Sequence, residues 1–291
     1  MNIRHVAHWA RRHPLLLIIL CVATIDVALL VVNAQSARGV LRVSFLDVGQ
    51  GDAVLIESPT GNQLLYDAGP PSGAVLRALA HELPFWDRSI DIAMFSHPDM
   101  DHIGGFPEVF KRYDVAVALE PGVGSTNGVY DESQSAITHE GAAHFNVQKG
   151  MVIELGGGAT AEVLYPDHDT SGMETNSASI VLLVRYGETT FLLSGDLPKN
   201  IEEYVVGNYG EALHTNVLKL GHHGSRTSTS PYWLSAVQPD VAVISAGKDN
   251  SYGHPHKEVI ELLSKESVPA LVTFEEGTIV FESDGTTVVR R

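Results

Sequence analysis

Cysteine is almost missing from this chain. The one thiol, Cys21, lies in an apolar stretch, so an intrachain disulfide and a zinc–thiolate site are both excluded, and any metal must be held by nitrogen and oxygen. Basic charge is also scarce, with 19 Lys and Arg against 35 Asp and Glu. Residues 1–42 hold five arginines and one acid, Asp26, so the remainder carries 14 basic against 34 acidic residues, a net −20. Such a body does not attract polyanions through its overall field, and no basic run marks a phosphate-tracking surface. Nucleic acid would have to bind through bound cations or a local lysine-lined cleft. Internal repeats and low-complexity tracts are absent as well.

One long apolar run is present. Pro14 to Val32, "PLLLIILCVATIDVALLVV", contains a single charge, Asp26, and follows Arg4, Arg11 and Arg12. It reads as an N-terminal hydrophobic helix that either anchors the chain in a membrane or serves as an export signal cleaved near Val32-Asn33-Ala34. Arg38 and Arg42 beyond it weaken the charge bias, but either reading places the body outside the cytoplasm. The expected organisation is residues 1–38 as anchor or signal and 39–291 as one catalytic domain.

The body opens with short branched strands at 41–48, 53–57 and 63–66, then a helix over 74–82 and a buried strand at 91–96. Helices are expected at 107–112 and 131–142. A second strand-rich set follows at 151–155, 161–164, 179–186 and 190–194. Helices at 199–206, 231–236 and 255–264 then alternate with strands at 217–220, 241–245, 270–274 and 278–281. Strands first and alternation afterwards, twice over, predict two packed sheets with helices outside both. Four marked features directly follow strands: Asp67, His97–His102, Asp196 and His222–His223.

The densest of these is "HPDMDH", His97 to His102, ahead of Gly104-Gly105. Ligand-type side chains at positions 1, 3, 5 and 6 of a tight loop can aim at two neighbouring centres, His97 and Asp99 at one cation, Asp101 and His102 at the other. Two cations a few ångströms apart clamp a phosphoryl group and activate the attacking water. In "FLLSGDL", an apolar strand delivers Asp196, either as a carboxylate bridging the cations or as a cap for the next helix. In "LKLGHHGS", adjacent side chains point to opposite faces, so one of His222 and His223 ligates and the other contacts substrate or supports the site. Gln50 and Asp52 in "DVGQGDA" are candidates to line the cleft. His254 in "SYGHPH" is a candidate phosphate contact, with Lys219 and Ser225 as weaker ones. His139, His144 and His168 read as surface histidines.

Taken in order, "FLDVGQGDA", "LLYDAG", "SHPDMDHIGG", "LLSGD", "LKLGHHGS" and "SYGHPH" resemble the metallo-β-lactamase superfamily. Within it they resemble the soluble domain of the DNA-uptake protein ComEC and its stand-alone relatives, over about residues 41–291. The resemblance implies an α/β fold, a four-layer αβ/βα sandwich with a dinuclear site at its edge. It assigns His97 and Asp99 to one metal, Asp101, His102 and His222 to the other, Asp196 as the bridge, and Asp67 to ordering the loop beneath the site. Two departures stand out. Asp99 replaces the histidine of the superfamily's widest pattern, as in ComEC-like members, and a third histidine before Asp196 has no counterpart. Asn176, in "TNSASIVLL", lies near the asparagine-serine motif of relatives. Three carboxylates with three histidines make two divalent ions, zinc or manganese, the expected cofactors.

The expected activity is metal-dependent hydrolysis of a phosphodiester, either DNA or a cell-envelope polymer. Asp101 or Asp196 would orient the nucleophile, and His223 or His254 would protonate the leaving oxygen. Acyl or lactone hydrolysis is a second enzymatic reading. A third is a membrane-tethered module that binds nucleic acid or an uptake partner and uses its metals structurally. In DNA uptake, a separate channel protein would have to supply the pore.

Overall fold

The computed structural model describes residues 12–36 and 39–291, and its contacts divide the chain into 1–38 and 39–291. In the first unit a helix runs Pro14–Ser36, with Leu15, Ile18, Ile19 and Val22 exposed. Among the described residues no helix is long and apolar enough to cross a membrane, so the expected span has no support from the structure. Arg4, Arg11 and Arg38, and the side chains of Val32, Asn33 and Ala34, lie outside what is described.

Strand residues in the second unit alternate between two apolar environments. Along β2 (Val54–Glu57) and β3 (Gln63–Tyr66), Val54, Ile56, Leu64 and Tyr66 join one buried cluster, while Leu55 and Leu65 join another. Along β10 (Thr189–Leu193) and β11 (Val217–Lys219), Phe191, Leu193 and Val217 enter the first cluster, and Leu192 and Leu218 enter a third. With both faces covered, strands read as nearly continuous apolar runs. The first cluster is the shared interior of two sheets, and the other two lie beneath the outer helices. This is the four-layer sandwich the sequence predicts.

The first sheet also contains β1 (Leu41–Phe45), β4 (Ser89–Met94), β5 (Asp114–Glu120), β6 (Ala143–Asn146), β14 (Ile279–Ser283) and β15 (Val288–Arg290), in the order β15-β14-β1-β2-β3-β4-β5-β6. The second adds β7 (Val152–Gly156), β8 (Ala159–Tyr165), β9 (Val181–Tyr186), β12 (Val241–Ile244) and β13 (Ala270–Val272), in the order β13-β12-β11-β10-β9-β8-β7. β3 to β6 run parallel, as do β10 to β13, so each run gathers its carboxyl ends at one edge.

Helices Ala74–Glu82 and Gly128–Glu140 cover the first sheet; Lys199–Tyr209, Pro231–Val237 and Lys257–Lys265 cover the second. Ser230 caps its helix by accepting from the Trp233 N–H, and Trp233 is fully buried below it. The helix expected over 107–112 is only a turn, Phe106–Val109, and the strand expected to 274 stops at Val272, where Thr273–Glu276 coils into a short helix.

Candidate metal centre

β3 ends at Tyr66, and Asp67 follows in a left-handed conformation (φ 61°). This turn points its carboxylate at the neighbouring parallel strand. Oδ1 accepts the Ser96 N–H at 2.7 Å, Oδ2 accepts the Ser96 hydroxyl at 2.7 Å, and Oδ2 lies 2.8 Å from His102 Nδ1. The carboxylate can only accept, so His102 donates from Nδ1 and turns Nε2 toward the centre. With its own proton given to Asp67, the Ser96 hydroxyl accepts from His97 Nδ1 at 2.9 Å. His97 therefore turns its Nε2 away from Ser96. One buried aspartate and one serine fix two tautomers.

The later histidines come from the second sheet. After β11, His222 and His223 both adopt left-handed backbone (φ 51° and 55°), rare for residues with a side chain. The doublet is thus not part of a strand, and the expectation that its rings face opposite ways is corrected. Both Nε2 atoms lie 3.6 Å from Asp196 Oδ2. They differ in setting. His223 is buried, donates from Nδ1 to the Ser245 carbonyl at 2.9 Å, and places Nε2 3.2 Å from Asp101 Oδ2. His222 is a quarter exposed, and its Nδ1 meets the Thr227 hydroxyl at 3.1 Å. The ring facing Asp101 is His223, where His222 was expected.

Asp196 follows Gly195 at the end of β10. Gly195 has φ +51°, and a Cβ there would lie 3.0 Å from the Ser179 side chain. The Ser179 hydroxyl accepts the Asp196 N–H at 3.1 Å. Asp196 Oδ1 stands 3.2 Å from His102 Nε2. Buried polar atoms are almost always paired, yet His97 Nε2, His102 Nε2, His223 Nε2 and Asp196 Oδ1 have no hydrogen-bond partner. His102 Nε2 and His223 Nε2 lie 3.2 and 3.6 Å from the Asp196 carboxylate without hydrogen-bond alignment, an arrangement that suits donors around a shared cation. Asp52, His102, Asp196 and His223 each offer a ligand atom, all within 4.8 Å of one another.

Burial drives His97 down to about 3, with the His102 charge adding to it. Burial also opposes charge on His223, but the carboxylates of Asp196 and Asp52 prevail and lift it to about 9. His102 is likewise raised against burial, chiefly by Asp196 and Asp67. Burial would raise Asp196 and Asp101, but the facing imidazoles hold both below the usual carboxylate range.

The remaining candidates sit around this cluster. Asp99 is more exposed, with Oδ2 3.8 Å from His97 Nε2. Asn176 opens a 3-10 turn that leads to Ser179, and its Oδ1 is buried without a partner. Gln50 Oε1 accepts from the Gly247 N–H at 3.1 Å and ties the β1–β2 loop to the loop after β12. His254 is buried, its ring centre 5.6 Å from His222 and 6.1 Å from His223. Burial and the charges of His223 and His222 push it down to about 4. Asp52 and Lys219 form a fully buried ion pair, so Lys219 is not a phosphate contact. Ser225 is buried against Thr227. His144 and His168 pair on the surface with Glu120 and Asp167. Ser96, Ser179 and Ser245 were missed, since a lone serine after a strand or in a turn carries no signal. The Asp52–Lys219 pairing, across 167 positions, carried none either.

Known proteins agree with this architecture. The profile of the metallo-β-lactamase superfamily matches residues 46–248. ComE operon protein 3 of Bacillus subtilis is 32% identical over 278 residues, covering 89% of this chain and 35% of that protein. Competence protein ComA of Neisseria gonorrhoeae is 34% identical over 239 residues, covering 82% of this chain and 32% of that protein. The chain spans about a third of the length of these curated relatives. The metallo-β-lactamase fold protein YhfI of Bacillus subtilis superposes with a TM-score of 0.58 at 12% identity, over 84% of this chain and all of that one. The chain belongs to the metallo-β-lactamase superfamily.

Proposed function

We propose that this protein is a metal-dependent hydrolase acting on phosphodiesters. The observation that carries the proposal is a buried cluster in which the His102 and His223 Nε2 atoms and Asp196 Oδ1 converge without hydrogen-bond partners, beside His97, whose Nε2 is equally unpartnered. A donor set of nitrogen and oxygen alone, with several carboxylates, suits a divalent cation. Asp101, His102, Asp196 and His223 would hold one ion; His97 and Asp99, sharing Asp196, would hold a second. Divalent cations there supply Lewis-acid activation of the phosphoryl group and of water.

The chain's own groups divide the remaining work. Asp67 and Ser96 lock the tautomers of His97 and His102, and Ser245 locks that of His223, so the donors are preorganised before anything binds. His223, committed to the centre, is not available to protonate a leaving group. His254, pushed down to about 4, is neutral near pH 7 and serves as a hydrogen-bonding ring beside the reacting phosphate. Arg226 and Lys248, exposed on the loops that carry His222 and His254, provide local positive charge on an acidic body. DNA is the favoured substrate, supported by the competence names of the relatives.

The full chain, loaded in turn with zinc and manganese, should be assayed on an aryl phosphodiester, single-stranded DNA, a thioester and a lactone. Turnover of the diesters is the expected result. Preference for thioester or lactone would replace this reading with acyl transfer, and full metal occupancy without turnover would favour a binding module. We further place the body outside the cytoplasm, on the strength of the arginine-flanked apolar stretch 14–32; fractionation and N-terminal sequencing of the mature protein test this and separate tether from cleaved signal.

A further inference from the structure

Lysine is almost never fully buried unless paired. Lys219, the last residue of β11, is fully buried, and its ammonium meets Oδ2 of Asp52, which is equally buried. A pair of this kind gains little stability over apolar residues of the same size, because desolvating two charges offsets their attraction. Its position indicates another use. Asp52 sits in the β1–β2 loop of the first sheet, and Lys219 belongs to the second. The Asp52 main chain donates to the Asp101 carbonyl at 3.2 Å and accepts from the Gly69 N–H at 2.7 Å. One residue thereby joins the loop bearing Asp101, the loop bearing Asp67 and the strand leading to His223.

The side chain is divided between two neighbours. Lys219 occupies Oδ2. Oδ1 stands 3.1 Å from His223 Nδ1, buried and without a hydrogen-bond partner, beside the Ser245 carbonyl that takes the N–H. Asp52 therefore lies behind the His223 ring, on the side opposite Asp101. When Nε2 donates its lone pair to a cation, positive charge develops at Nδ1–H, and a carboxylate behind the ring stabilises it.

We propose that Asp52 and Lys219 are positioning residues for His223: Lys219 pins one carboxylate oxygen so that the other backs the imidazole, which keeps Asp52 out of the metal's own coordination and strengthens His223 as a ligand. This rests on His223 being a metal ligand, and it accounts for an ion pair that stability alone does not explain. His102 has the analogous arrangement with Asp67, where the Ser96 N–H and hydroxyl restrain the carboxylate in place of a lysine.

The test compares wild type with Asp52→Asn, Lys219→Met and the double variant D52N/K219M in the full chain. Readouts are zinc affinity by chelator competition, zinc stoichiometry, the visible spectrum of the cobalt-substituted protein, and the melting temperature of the metal-free form. Each single variant leaves one buried charge unpaired and should melt lower. The double variant leaves none and should recover most of that loss, yet bind zinc about 10–100-fold more weakly at unchanged stoichiometry, because the carboxylate behind His223 is gone. Should the double variant not fold, D52N, which keeps the side-chain volume, must show the same weakening. Wild-type zinc affinity in D52N/K219M would show that the pair only supports the fold and would overturn the proposal. Loss of a bound ion, or a cobalt spectrum showing one ligand fewer, would make Asp52 a ligand and overturn it too. If wild type itself binds no zinc, the reading of the whole centre fails before this one is reached.

Discussion

Loading the centre with a divalent cation should expel protons, and the surroundings of the two histidines set the number. In the metal-free protein, His223 is raised to about 9 and His102 lies well above its ordinary 6.5. The His223 ring therefore carries a second proton at pH 7, and the carboxylates of Asp196 and Asp67 move His102 in the same direction. Ligation requires a neutral imidazole, so filling this position releases the His223 proton at pH 7, with His102 adding in the same direction. Apparent zinc affinity should then rise by at least about one log unit per pH unit between about pH 6.5 and 8, and more slowly as His223 titrates. His97, at about 3, is already neutral and contributes none. The same shift affects stability. The folded-state value of His223 is above its 6.5 reference, so the stabilisation is complete below pH 6.5 and is lost as pH rises through about 9. The rise to about 9 corresponds to stabilisation on the order of 3 kcal/mol in the metal-free form. Titration calorimetry of zinc into chelator-stripped protein, in buffers of different ionisation enthalpy, counts the protons, and melting curves from pH 6 to 9.5 follow the stability. Proton release near zero at pH 7, with affinity flat in pH, would refute the reasoning.

Asp101→Ala should abolish diester hydrolysis while the fold survives, read by turnover alongside circular dichroism; unchanged turnover would remove Asp101 from the centre. His223→Gln should lose tight metal binding, whereas His222→Gln should keep the ion and lose turnover, because only His223 faces both Asp101 and Asp196; metal analysis of the two variants decides, and the reverse pattern would reassign the ligand. Gly51→Ala should destabilise the protein by about 1–3 kcal/mol and weaken metal binding, since its Cβ would come within 2.2 Å of the Asp101 carbonyl oxygen at φ +137°; chemical denaturation and chelator competition measure both effects.

What could be read from the sequence followed local pattern. "HPDMDH" after an apolar strand, and Asp196 and the histidine doublet after others, marked residues that the fold brings together, because parallel strands bring their carboxyl ends to one edge. Short, branched, nearly continuous apolar runs placed β2, β3, β9 and β10 within a residue or two. The less legible parts lacked such a pattern. β6, "AHFN", is a fully exposed edge with no apolar period to mark it, and β15 has one half-buried residue and two exposed ones. The choice between His222 and His223 depended on two left-handed residues that nothing but the fold imposes. Lys219 read as a phosphate contact because charge at a strand end usually faces solvent. Its partner, Asp52, comes from the opposite sheet, and no local rule joins them.

The most direct test of the account is anomalous diffraction from crystals of the full chain grown with zinc or manganese. A cation peak enclosed by Asp101, His102, Asp196 and His223, with Asp52 behind His223 and still paired to Lys219, is the predicted result. A peak bound elsewhere, or those four side chains ordered around no ion at saturating metal, would contradict it.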